Sequence, residues 1–181
     1  GWAGEQFALP PDESGPTPAG MVGWVSLDVA TAMLATGGLV FSDLKAAAAE
    51  RGFAAVETGV TISARVASTV RRVETRNVVG LYRGTERPDE YITMTSHYDH
   101  FGVGEAVDGD SIYNGAYDNA SGTAMLLTVA STVSAMEDGG ERSILFIATA
   151  AEEQGLLGGQ WYAQSPLFPL SSTVAEINVD G

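Results

Sequence analysis

The sequence predicts an α/β three-layer sandwich with a mostly parallel central sheet, and three observations predict it. First, Ser143-Ile144-Leu145-Phe146-Ile147-Ala148 is a continuous apolar run, the composition of a strand buried on both faces. Second, strand-like and helix-like segments alternate from about residue 76 onward, the order that winds a chain into a layered α/β domain. Third, polar residues with chemical potential follow the carboxyl ends of the apolar strands, where open α/β sheets place their ligands.

Taken in order, residues 1–20 are rich in Pro and Gly (Pro10-Pro11, Gly15-Pro16, Pro18, Gly20) and read as irregular loop. Ser26 is placed to cap a helix through Ala30, Met33 and Leu34 that ends at Gly37-Gly38. Ser42 is placed to cap a second helix, Leu44 to Glu50, ending at Arg51-Gly52. Val60, Ile62, Ala64 and Val66 alternate with polar residues, the period of a half-buried strand. Asn77–Tyr82 and Tyr91–Thr95 read as strands joined by a short polar turn, which predicts an antiparallel hairpin. Residues 100–117 read as a long Gly/Asp-rich loop. The next helix spans about Ser121 to Met136 with Met125, Val129, Val133 and Met136 on one side. A short helix over Leu156–Gln164 then leads to a strand over Val174–Val179.

The net charge is −14, from 23 acidic against 9 basic side chains. Such a surface repels phosphate backbones and argues against a nucleic-acid partner. No apolar run approaches the roughly 20 residues of a membrane helix, and the start Gly1-Trp2-Ala3-Gly4-Glu5 has no secretory pattern. There is no cysteine, so any metal must be held by His, Asp and Glu, and the histidines are two, His97 and His100.

Four segments carry the candidate chemistry. In Ser96-His97-Tyr98-Asp99-His100, His97 and Asp99 lie on one side of an extended segment, so the carboxylate can accept from one imidazole nitrogen while the other binds a metal. In Gly115-Ala116-Tyr117-Asp118-Asn119-Ala120-Ser121-Gly122, Asp118 or Asn119 can simply cap the helix, but the small flanking residues point to tight packing around a buried carboxylate. Glu152-Glu153 directly follow the apolar strand, where charge costs free energy unless paired or metal-bound. Asp180-Gly181 follows another apolar strand and is also a common turn. Each segment alone has an ordinary structural reading. Together, four polar sites at successive strand ends favour a shared site. No nucleophile elbow or phosphate-binding glycine loop competes, and Asp108-Gly109-Asp110 lacks the later ligands of a calcium loop and reads as a turn.

In the motifs SHYDH (96–100), VDGDSIYNGAYDNASG (107–122), AAEEQGLLG (150–158) and INVDG (177–181), the chain resembles the co-catalytic di-zinc exopeptidases. That family includes leucyl-type aminopeptidases, glutamate carboxypeptidases and the transferrin receptor. The likeness covers about residues 76–181. It divides the chain into 1–70, the tail of a protease-associated domain and a linking strand, and 71–181, the first part of a catalytic domain. Its implied roles are zinc ligation by His97, Asp118, Glu153 and Asp180, with Asp118 bridging two zincs and a cis peptide to Asn119. Glu152 is implied as general base and Asp99 as the group that orients His97; Tyr117 occupies a position that does not ligate.

The family takes a last histidine for the second zinc from further downstream, and His100 stands at a position that varies. The likeness therefore implies a fragment of a larger exported enzyme, secreted or periplasmic, that favours one zinc where the complete site holds two. An aminopeptidase acting on peptides is the leading expectation. A carboxypeptidase or dipeptidase, a glutaminyl-cyclase-like enzyme favouring one zinc, and a non-catalytic binding module are the alternatives.

Overall fold

The computed structural model describes residues 5–10, 23–136 and 140–181. The expected loop over 1–20 lies outside them except at 5–10. The described residues fall in two compact units, residues 23–71 in one and residues 5–10, 72–136 and 140–181 in the other. Among the described residues no single helix is long and apolar enough to cross a membrane.

The first unit contains helices α1 (Leu27–Thr36) and α2 (Phe41–Ala48). Ser26 caps α1 as expected, its Oγ accepting from the Val29 N–H at 3.3 Å, and Gly37 closes it. The second helix starts earlier than its predicted cap: Val40 precedes it, and Ser42 lies in the first turn beside Asp43. Residues 60–66 form no strand, and Ile62 and Val66 are exposed. A period-2 pattern becomes a strand only against a neighbouring edge, and the described part of this unit contains helices alone.

The second unit holds a four-stranded sheet of order β1-β5-β2-β6, with β1 Val78–Tyr82, β2 Arg87–His97, β5 Arg142–Thr149 and β6 Thr173–Asn178. Strands β5, β2 and β6 are parallel, and β1 runs antiparallel to β5. The predicted β1–β2 hairpin is therefore absent, because β5 lies between them. A buried side chain explains how the short connection clears a whole strand. Ser143 Oγ, fully buried, donates to the Pro88 carbonyl at 2.7 Å and accepts the Gly84 N–H at 3.0 Å, stitching the connection across the start of β5. The most apolar strand thus takes the centre, where both faces are covered.

Helix α3 (Gly122–Ser134) covers one face and α4 (Leu157–Gln164) the other, giving three layers. Met94, Leu126 and Phe146 pack under α3 with Val129 and Val133; Tyr91, Leu145 and Ile147 pack under Tyr162 of α4. The inward stripe of α3 runs 126, 129, 130, 133. Met125 and Met136, expected on that stripe, are half exposed, because Gly122 starts the helix and sets its rotation. The predicted loop over 100–117 instead contains a hairpin, β3 (Gly102–Val107) and β4 (Asp110–Tyr113). Its turn is Asp108-Gly109, both at positive φ (53° and 89°), as a two-residue type I′ connection requires.

Candidate metal centre

Strand β2 delivers the first site residue at its carboxyl end. Tyr91, Met94 and Leu145 are committed to the core, and the strand ends at His97, only 3% exposed, level with Thr149 of β5. His97 Nδ1–H donates to the carbonyl of Asp99 at 3.0 Å. That bond turns Nε2 toward carboxylates: Asp118 Oδ1 at 3.0 Å, Asp180 Oδ1 at 3.1 Å and Glu152 Oε2 at 3.9 Å. Burial by itself lowers the imidazole pKa. The bonds to Asp99 and Asp180 and the negative charges of Glu152 and Asp180 outweigh it, and the net shift is upward. A nitrogen so surrounded by acceptors must carry a cation of some kind, a proton or a metal.

Asp99 positions the site differently from the expectation. Its carboxylate is 3.8 Å from His97 Nδ1 and instead accepts the backbone N–H groups of Glu152 and Glu153 at 3.1 and 3.4 Å. The main-chain carbonyl, already beside the ring, takes the imidazole proton and frees the carboxylate. Asn77 supports the same loop, accepting from the Ala150 N–H at 3.0 Å and donating to the Gly158 carbonyl at 2.8 Å. Burial is the main cause that raises the Glu152 carboxyl; the His97 charge lowers it, and Asp180, Glu153 and Asp99 push it further up.

The second motif packs tightly, but around a different side chain. Asp118 is 41% exposed; the buried residue is Asn119, at 2%. Asn119 Nδ2 donates to the Val179 carbonyl at 2.8 Å and to Ser96 Oγ at 3.2 Å, while its Oδ1 accepts the Gly122 N–H at 3.0 Å. One amide therefore ties the ends of β2 and β6 to the start of α3. The Asp118–Asn119 peptide is cis. A Cβ on Gly122 would lie 2.4 Å from Asn119 Oδ1 and 2.7 Å from both Ser96 Oγ and the Val179 carbonyl, so only glycine fits. Tyr117 is exposed.

Among the described residues two groups of donors result, sharing Asp118: His97, Asp118 and Asp180, and His100, Asp118 and Glu153. Every residue expected to ligate belongs to one of them. His100 is the residue that sequence reasoning set aside; its Nδ1 lies 2.6 Å from Glu153 Oε1. The available signal was its status as the one other histidine, three positions after His97. A set of imidazoles and carboxylates converging without a lysine or arginine suits a divalent cation.

Residues 77–181 match the model of Peptidase family M28. The chain is 36% identical over 121 residues to an aminopeptidase, NAALADL1, of Mus musculus, covering 62% of this chain and 15% of that protein. It is 35% identical over 127 residues to a glutamate carboxypeptidase 2 homolog of Caenorhabditis elegans (67% and 15%). To a probable zinc metalloprotease of Pyrenophora teres f. teres it is 34% identical over 119 residues (61% and 24%). The chain thus spans less than a quarter of the length of these relatives. The matched region is more than half of the chain and contains both donor groups, and the chain belongs to Peptidase family M28.

Proposed function

We propose that this chain is the metal-binding part of a zinc-dependent exopeptidase, with an aminopeptidase as the preferred activity. The observation that carries this reading is the set of Asp118, Asp180 and Glu152 around the single open nitrogen of buried His97. Residues His97, Asp118 and Asp180 would hold the first zinc and Glu153 with Asp118 the second, the first being the tighter. Zinc held there supplies Lewis acidity, polarising the scissile carbonyl and making a water more acidic.

The chain's own residues do the rest. Glu152 stands beside the cation position without belonging to either donor group, so its carboxylate is available to take a proton from the attacking water and return it to the leaving amine. Its raised pKa brings it closer to neutral working pH, where a base of that kind is most effective. Asp99 holds the backbone of Glu152 and Glu153 in place and takes no part in the proton transfer.

A cavity of about 740 Å³ opens beside His97 and favours an aminopeptidase over a carboxypeptidase. Glu152, Glu176 and Asp180 line it and no lysine or arginine does. Such a wall attracts a free α-ammonium group and repels a free carboxylate. The names of the relatives include both activities.

For residues 1–70 we keep the reading of a protease-associated tail, supported by the division of the chain near Arg71 and by the looser resemblance of GWVSLDVATAMLATGG (23–38) to the end of such a domain. Export of the parent protein belongs to the same reading, and cell fractionation tests it. The function is tested by assaying the zinc-loaded full-length parent protein on aminoacyl and N-blocked peptides. Hydrolysis confined to free amino termini, reduced about 10²–10⁴-fold by Glu152→Gln with zinc content unchanged, is expected. Full activity in Glu152→Gln would sink the mechanism.

A further inference from the structure

Resting on the reading that this chain binds zinc, we infer that His100 is a direct ligand of the second cation, forming a three-donor set with Glu153 and Asp118. The donor atoms of the three lie within 4.8 Å of one another. His100 Nδ1 and Glu153 Oε1 are 2.6 Å apart, so the imidazole nitrogen and the carboxylate oxygen face each other as two donors to one ion would. Zinc binds nitrogen and oxygen at about 2.0–2.2 Å. For both atoms to meet one cation at those lengths the pair opens by less than about 1 Å, within the reach of side-chain rotation alone.

The surroundings form a seat for this imidazole. Gly115, at φ +63°, lies against the ring: a Cβ there would come within 2.9 Å of both Cβ and Cγ of His100. The Phe101 ring meets His100 edge-on at 5.0 Å between centroids and is itself backed by Tyr113 of β4 at 6.1 Å. Glu153 has a side chain only 11% exposed and next to Glu152, so a carboxylate there needs a cationic neighbour. Among the described residues, its ion-pair partner is His100.

The test is cobalt(II) loading of the intact chain, counted by mass spectrometry of the metal after dialysis, with proton NMR of the hyperfine-shifted imidazole N–H signals. Two cobalt ions and two exchangeable shifted signals are expected, one from His97 Nδ1–H and one from His100 Nε2–H. In both His100→Ala and His100→Gln one signal disappears, and the second ion binds more than about 100-fold more weakly, beyond the 10–100-fold cost of losing a supporting contact. The wild-type signal count needs no variant to fold. A single shifted signal, fewer than two ions in the wild type, or a loss of less than about 100-fold in the two variants overturns the inference and leaves the first metal site standing. A wild-type chain that holds no cobalt overturns both.

Discussion

His97 and Glu152 are the two site residues whose proton affinities the fold raises, and both act on stability in the same direction. For His97 the folded state holds the proton more tightly than the ordinary value of 6.5 allows. Its stabilising contribution in the metal-free chain is present below that value and is lost as pH rises through the higher folded one. Glu152, raised above 4.5, likewise favours its protonated form when folded, so its ionisation destabilises the fold as pH rises. The metal-free chain is therefore expected to lose thermal stability from about pH 4.5 upward through the neutral range, followed by melting temperature in the presence of a chelator. Zinc reverses the trend, since it replaces the His97 proton and binds more tightly as pH rises. Glu152→Gln removes the ionisation and should raise the metal-free melting temperature at pH 7. A melting temperature that rises with pH without metal would contradict these assignments.

The element that organises the site is the turn Ala116–Ser121 leading into α3, held by a single buried amide. Asn119 bonds to Ser96, Val179 and Gly122, so three chain segments meet on one side chain. Gly122→Ala places a Cβ within 2.4–2.7 Å of three of those polar atoms. Backbone must shift to relieve the contact, and overpacking of this kind costs roughly 1–3 kcal/mol. The expected outcome is a lower melting temperature and weaker zinc binding together, because Asp118 and Asp180 flank the displaced segments. Scanning calorimetry and metal titration on the same variant check it. An alanine variant with wild-type zinc affinity would mean that the turn does not position the ligands.

At the scale of the whole molecule, the chain forms two units that divide between Arg71 and Arg72. No described residue of the first unit is fully buried, whereas the second has an apolar core on both faces of its sheet. Trypsin, which cuts after arginine, is expected to release a resistant fragment beginning near residue 72, with zinc protecting it further. Mass spectrometry of the limited digest identifies the fragment. Early cleavage at Arg142, inside the central strand β5, would contradict a core placed there.

How much of this was legible depended on whether a signal was local. The buried strand β5, the cap at Ser26 and the loop positions of the acids follow from composition and short spacing, and sequence reading found them. The hairpin of β1 and β2 was misread because strand order depends on which strand has the most apolar surface to hide, a comparison across the whole sheet. The stripe of α3 was rotated because its start is set by Asn119 and Gly122 packing against β2 and β6. The strand expected over residues 60–66 failed for want of a neighbour.

The sequence alone determined the chemistry on offer: two histidines, no cysteine, and carboxylates at the ends of apolar strands, a donor set suited to a divalent cation. Residue type and short-range order are enough for that, since ligand preference is a property of the side chain. Tertiary structure alone decided how these groups are shared: the carbonyl of Asp99 orients His97, Asn119 and not Asp118 is buried, and His100 meets Glu153. Apart from the His97 contact with the Asp99 carbonyl two residues on, which takes its place from where the strand ends, those outcomes turn on distances of about 3 Å between residues more than 50 positions apart. Only packing of the sheet and its helices fixes such distances, and no local pattern in the chain encodes them.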